Sequence, residues 1–272
     1  MLIHFQEEGL RGKSATTVKT YMYCLEQFDK WLDGSGTNLE EFSRSDVQQY
    51  MDYLVAKKKS ASTINKIWNA IKKYCKFAGK EECIEDISVV KAPDYKKEAP
   101  QALSRNERNR LIREIDRTGN RRDFAILMML LNTGVRVSEL VSVDRTDLEI
   151  SERKGSLKVV GKGNKERVIL LNAEARRAVL KHLEERTDQH TALFLSNRGK
   201  RISVRTVQNL LHKYGYHAHQ LRHTFITDLQ RSGVDLTLIQ SLSGHSSLDI
   251  LSRYSMPTQE DKQNAVEMLY KQ

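Results

Sequence analysis

From Phe124 to Leu131 the chain places eight apolar residues in a row without a polar interruption. A helix on a protein surface needs an apolar stripe, not an apolar sleeve, so this run must be covered on all sides. It is therefore expected to be buried. The run is also far too short to cross a bilayer. Asn132, Thr133 and Gly134 break it, and a further helix is expected to restart through Arg136.

The chain before this run reads differently. Three helical periods fill the first eighty of the 272 residues. Val18, Tyr21, Leu25, Phe28 and Leu32 step by three and four, with Ser14 placed as a cap and Gly34 as a stop. Val47, Tyr50, Met51 and Leu54 mark a second helix behind Ser43. A third follows Lys57, Lys58 and Lys59, with Ile64, Ile67, Trp68, Ile71, Tyr74, Cys75 and Ala78 on one face. Its other face carries Asn65, Lys66, Asn69, Lys72, Lys73 and Lys76. Such a face suits a DNA groove or a row of phosphates, although taken alone it reads first as plain solvation. Residues 91–100 hold two of the three prolines and no helical period, which reads as an extended linker.

Beyond the linker, Ser104 and Glu107 have the spacing of a capping box. Residues 157–160 and 167–171 look like paired strands, joined by a turn from Gly161 to Glu166 that contains Lys162 and Lys165. Helices are expected over about 173–185, 204–213, 220–231 and 236–242, with a short strand at Leu193–Leu195. The fold class is mainly α with a small antiparallel β-sheet.

Charge narrows the partner. Lys and Arg number 45 against 35 Asp and Glu, a net charge of +10. Residues 1–100 are balanced at 16 basic and 15 acidic, whereas residues 101–272 hold 29 and 20. A polyanion is the expected partner, nucleic acid ahead of an acidic membrane surface. Cys24, Cys75 and Cys83 form an odd set without CxxC spacing, as expected of reduced thiols. The amino terminus lacks the pattern of a signal peptide, and a cytoplasmic, nucleoid location is expected.

The residues that carry chemistry lie around these elements. Arg136 follows a glycine turn, where it serves either as a salt-bridge partner of Glu139 or as a rigid fork on two phosphate oxygens. His219 and Arg222 stand three apart on one helix face. His245 follows Gly244 at a helix end, and Tyr254 comes nine residues later. His219 and His223 have a metal-binding spacing, with His217 and His245 near. However, Gln220 stands where a metalloprotease carries glutamate, and Arg222 would repel a cation, so a metal is not expected.

Taken together, TGVRVSEL, VVGKGNKERVILL, HQLRHTF, LSGHSSL and the pair Arg253–Tyr254 resemble the tyrosine recombinases, the lambda-integrase superfamily, and most closely its Xer-type branch. The resemblance covers nearly the whole chain, and its five motifs occur in the family's order and spacing. It implies a helical core-DNA-binding domain over 1–90, a linker over 91–100, and a catalytic domain with a tail over 101–272, closing as a C-shaped clamp on DNA. It implies catalytic roles for Arg136, Lys162, His219, Arg222, His245 and the nucleophile Tyr254, with Glu139 supporting the first arginine. Tyr214 and Tyr216 precede the HxxR motif and Tyr270 lies too near the end to take the nucleophile's place. The DNA-contacting set would be Lys66, Asn69, Lys72, Lys73 and Lys76.

The resemblance further implies strand exchange through a 3′-phosphotyrosyl link, by four copies of the chain on two duplexes, with no nucleotide cofactor. His219 would act as base toward the tyrosine hydroxyl or touch the phosphate, and Lys162 would protonate the leaving oxygen. Ser255, Met256 and Pro257 depart from the family's usual residues after the tyrosine. No additional arm-binding domain is expected, which leans toward Xer-like or resolvase use over lambda-like integration. Two other readings share these residues: a type IB topoisomerase-like enzyme, and a DNA-binding regulator without catalysis.

Overall fold

Capping side chains set the helix starts of the amino-terminal unit, Met1–Asp94. Ser14 accepts from the Thr17 amide at 3.2 Å and opens Ala15–Gly34. Asp46 reaches back to the Ser43 amide at 2.8 Å ahead of Arg44–Ala56. Ser60 caps Ala61–Ala78, which Gly79 closes in the left-handed region. The computed structural model describes residues 1–91, 100–161, 165–245, 247–257 and 259–269.

The apolar stripes of these helices meet in an aromatic core. Phe5, Phe28, Phe42 and Tyr74 are fully buried. Phe28 meets Phe42 edge-on at 5.4 Å, and Phe5 meets Tyr74 likewise at 5.4 Å. The Tyr74 hydroxyl donates to the Leu39 carbonyl at 3.2 Å, so its burial leaves no polar group unsatisfied. Each such ring contributes on the order of 1.5–3 kcal/mol through burial. Cys24, Cys75 and Cys83 are buried free thiols.

The second unit, Tyr95–Gln272, is organised around the apolar run. Arg121–Thr133 is a helix whose residues 125–131 are all buried. It packs against Arg105–Asp116, Ala173–Glu184 and Ala218–Arg231, which together supply the cover that the sequence demands. The described residues include one sheet of three antiparallel strands: β1 (Leu148–Ile150), β2 (Gly155–Val160) and β3 (Glu166–Leu170). Leu157 faces Ile169 and Val159 faces Arg167, so the strands' period of two sends Leu157, Val159 and Ile169 inward. Val168 and Leu170 stand exposed on the other face.

Several expectations need correction. Arg136 is the cap of the helix Val137–Ser142, not a residue within it. Leu193–Leu195 is not a strand: Ala192 bridges singly to Asp144 and Leu195 singly to Arg201, so no two consecutive residues share a partner segment. Glu166 belongs to β3 and not to the turn, and residues 162–164 lie outside the described residues, as does most of the expected linker. The strand β1 has no counterpart in the sequence reading. Among the described residues, no helix is long and apolar enough to cross a membrane.

Candidate active site

The first arginine is held by a buried carboxylate. Gly134 ends the central helix at φ 60°, and a Cβ there would lie 2.4 Å from the Phe225 ring, so only glycine fits the turn. The chain then enters Val137–Ser142 with Arg136 as its cap. Glu139 accepts from the Arg136 amide at 2.9 Å and from its guanidinium at 2.9 Å. It also accepts two bonds from Arg167, both at 2.8 Å. Arg167 reaches it because it sits on the inward face of β3, two residues before Ile169. Burial pushes the Glu139 carboxyl up, but the bonds from Arg167 and Arg136 outweigh this and hold it at about 2.

The second arginine is deeper. Arg222, on Ala218–Arg231, is only 2% exposed. Its guanidinium donates to the Gly134 carbonyl and, at 2.7 Å, to the Ser243 carbonyl. Burial and the nearby Arg136 lower it to about 10, which leaves it charged at neutral pH. Arg136 donates to the Gly244 carbonyl at 3.2 Å. The consecutive residues Ser243 and Gly244 therefore tether both guanidinium groups to one turn. Gly244 closes Leu236–Ser243 at φ 67°, and a Cβ on it would lie 2.9 Å from Arg167 Nε.

His245 follows directly. Its Nδ1 pairs with the Ser243 hydroxyl at 2.7 Å, and both ring nitrogens lie 3.4 Å from the Arg222 guanidinium. Burial first, then Arg222 and Arg136, press the imidazole down to about 4, so the ring is neutral. The neutral ring carries one N–H and one acceptor nitrogen, so it keeps a proton that can be donated.

Tyr254 lies on the turn Ser252–Ser255 and is 6% exposed, packed in a small cluster with Ile226, Ile239 and Leu251. Burial pushes its phenol up to about 12, against the opposing pull of Arg222 and Arg253. The partner of its hydroxyl is His223, whose Nδ1 lies 2.5 Å away. His219, expected either as base toward the tyrosine or as a phosphate contact, is exposed and stacks edge-on against His223 with 4.4 Å between ring centroids. Burial and the guanidinium groups of Arg222, Arg136 and Arg253 lower its imidazole.

The structure thus brings Arg136, Glu139, His219, Arg222, His245 and Tyr254 together within the second unit, while Lys162 lies outside the described residues. Three members escaped the sequence reading. Arg167 had a signal, since the alternation along β3 sets it on the inward face. His223 was weighed only as a metal ligand, and Ser243 carried no signal. Among the described residues, no group of three or more His, Cys, Asp or Glu side chains is placed to hold a metal ion.

A cavity of about 740 Å³ opens here, lined by Arg136, Lys165, Arg167, Gln240, Gly244 and His245 among others. In the other unit, Lys66, Asn69, Lys73 and Lys76 are exposed along Ala61–Ala78, while Lys72 is half-buried with its ammonium 5.3 Å from the Trp68 ring centre. Asn65 on the same face is engaged internally, donating to the carbonyls of Ala61 and Val90 at 2.8 and 2.9 Å.

Comparison with known proteins follows the same division. Residues 101–261 match the phage integrase family and residues 7–82 match the phage integrase N-terminal SAM-like domain. Tyrosine recombinase XerA of Pyrococcus furiosus is 35% identical over 271 residues, covering 95% of this chain and 89% of that protein. Among solved structures, that of a XerA recombinase is 25% identical, with a TM-score of 0.54 over 98% of this chain and 95% of the other. A XerH site-specific recombinase bound to its difH substrate shares the fold, with a TM-score of 0.71 at 20% identity over 97% of this chain and 83% of that one. A family match across more than half of the sequence, joined to a relative at this identity over nearly its full length, makes the chain a member of the phage integrase family, a tyrosine recombinase of the Xer-like branch.

Proposed function

We propose that the second unit cuts and rejoins duplex DNA with Tyr254 as nucleophile and with Arg136, Arg222 and His245 receiving the scissile phosphate. The tyrosine oxygen bonds to phosphorus, the bond from phosphorus to the 5′ oxygen breaks, and a 3′-phosphotyrosyl link remains beside a free 5′-hydroxyl. The hydroxyl of another strand reverses the step on the phosphotyrosine, so no nucleotide is consumed. Charge gathers on the non-bridging oxygens as phosphorus is attacked. Two guanidinium groups fixed before the reaction meet that charge without reorganising. His219, exposed beside them, contacts the phosphate. Lys162 protonates the leaving oxygen, with Lys165 beside it the second candidate.

The observation that carries this reading is the shared anchor: the carbonyls of Ser243 and Gly244 hold Arg222 and Arg136, and His245 is the next residue. The amino-terminal unit supplies affinity, with Lys66, Asn69, Lys72, Lys73 and Lys76 toward the DNA. Four copies then act on two sites. Integration, excision and resolution of a mobile element or replicon all use this chemistry.

The test is to incubate the chain with a randomised pool of nicked duplexes and to recover DNA that stays attached under denaturing conditions. Tyr254→Phe should yield none. A native chain that attaches to no duplex would refute the reading. A two-site plasmid carrying the recovered sequence then yields recombinants; relaxed circles alone would mark a topoisomerase-like enzyme, and binding without attachment a silent regulator.

A further inference from the structure

The nucleophile's hydrogen-bond partner has no part in the roles set out above. His223 stands next to Arg222 in sequence but points from the helix Ala218–Arg231 toward Tyr254, and its Nδ1 lies 2.5 Å from the phenolic oxygen. The two rings are 5.6 Å apart, tilted by 49°. Tyr254 is 6% exposed. A phenol buried to that degree needs an acceptor for its proton, because an unpaired buried donor costs about 1–3 kcal/mol. The imidazole is the acceptor that the structure provides, which puts the ring's own proton on Nε2. The groups facing His223 are His219 and Arg222 on its own helix, Arg253 and Tyr254 from the turn Ser252–Ser255, and His245 from the loop after Leu236–Ser243. All are cationic or neutral at physiological pH, so among the described residues no carboxylate faces the phenolic proton.

Resting on the recombinase reading, we propose that His223 is a catalytic residue, the base that accepts the Tyr254 proton during strand cleavage and returns it during rejoining. As the tyrosine oxygen bonds to phosphorus, its proton passes to His223 Nδ1. The bond from phosphorus to the 5′ oxygen breaks, and that oxygen takes a proton from the leaving-group acid. In rejoining, a 5′-hydroxyl attacks phosphorus and gives its proton to the deprotonated leaving-group acid, the phenolate departs, and the imidazolium gives the tyrosine its proton back. One proton is taken and one returned over the cycle. His219, on the exposed edge of the same helix, is then free to contact the phosphate.

The proposal also explains a quiet resting state. Burial, His219 and the nearby guanidinium groups lower the imidazole to about 4, while burial raises the phenol to about 12. The proton stays on the tyrosine until bonding to phosphorus makes the phenol acidic. The nucleophile is therefore held in place, but not armed, before DNA arrives.

The test uses the intact chain and a nicked duplex recovered from the randomised pool. It is prepared with the ordinary bridging 5′ oxygen or with sulfur in that position, a leaving group that departs without a proton. His223→Ala and His223→Gln should each slow attachment by about 10²–10³-fold near pH 7, with DNA affinity unchanged. Hydroxide replaces the missing base, so the deficit should narrow by about tenfold per pH unit toward alkaline pH. Sulfur should not restore the rate.

A deficit that is constant with pH and follows a lowered melting temperature would mark a structural role and overturn the proposal. Restoration by sulfur would move His223 to the leaving group and overturn it too. Imidazole nitrogen NMR on the labelled, DNA-free chain reads the contact without altering His223. It should find the His223 proton on Nε2 and a shift of Nδ1 in Tyr254→Phe; a proton on Nδ1 overturns the proposal. Attachment by His223→Ala as fast as native refutes this inference alone, whereas a native chain that never attaches refutes the recombinase reading with it.

Discussion

Glu139 keeps its charge in the interior because two guanidinium groups come to it, one from each side. Its side chain is 4% exposed, so the ion pairs are weakly screened. Glu139→Gln leaves both arginines without their counter-charge. The expected cost is on the order of 3 kcal/mol by denaturant melts, with strand attachment reduced and DNA affinity kept. Arg167→Lys keeps the charge but loses the two-pronged geometry, and should slow attachment by roughly tenfold, measured on the recovered duplex. Acid acts on the same site in two windows. His223 and His245 are lowered from 6.5 to about 4 in the folded chain, so the unfolded chain binds more protons and stability drops as pH falls from 6.5 toward 4. Glu139 is lowered from 4.5 to about 2, and its contribution is lost as pH falls from 4.5 toward 2. Melting temperature should therefore decline already between neutral pH and pH 5, and a His245→Gln chain should show a flatter decline. At this scale Arg136, Arg222, His245 and Tyr254 were legible in the sequence, because each sits inside a motif. Arg167 and His223 gain their meaning only from which face of a strand or helix they occupy and what lies opposite.

Elements were legible where a period repeats and a cap marks the start. The stripes of Ala15–Gly34 and Ala61–Ala78 and the capping box at Ser104 needed no tertiary context. The short extended segments did need it. Leu148–Ile150 becomes a strand only because Gly155 and Leu157 lie opposite, while apolar Leu193 and Phe194 are buried without a continuous partner. Junctions between elements are where single changes should matter most. Gly134→Ala must adopt a left-handed backbone and displace the Phe225 ring. The summed cost is about 2–4 kcal/mol, and because Arg136 is two residues on, attachment should fall further than the melting temperature alone explains. The exposed lysines of Ala61–Ala78 make the opposite prediction. Replacing Lys66, Lys73 and Lys76 together with glutamine should leave stability unchanged. It should weaken DNA binding and reduce the salt slope of affinity by about 2–3, each lost phosphate contact removing roughly 0.9.

At the scale of the whole molecule, residues 101–272 carry nearly all the excess positive charge, 29 basic against 20 acidic. Electrostatic attraction to DNA is thereby placed in the unit that also holds the tyrosine, and one copy should suffice to bind and to attach. Exchange between duplexes asks for more, since two sites must be held by copies that sense one another. The helix Gln259–Met268 is the segment to test for that task. Val266, Met268 and Leu269 are 57%, 70% and 73% exposed, an apolar group in and just after that helix. Packing back onto its own unit remains the competing use of such a helix, and truncation separates the two. If the helix docks on a neighbouring copy, removal of residues 259–272 leaves melting temperature and single-site attachment near native, while tetramer formation on DNA and recombination on a two-site plasmid are lost. If it serves its own unit, melting temperature falls and attachment falls with it. A truncated chain that still assembles and recombines as the native one does would rule out the docking role, and would move the contact between copies elsewhere on the surface.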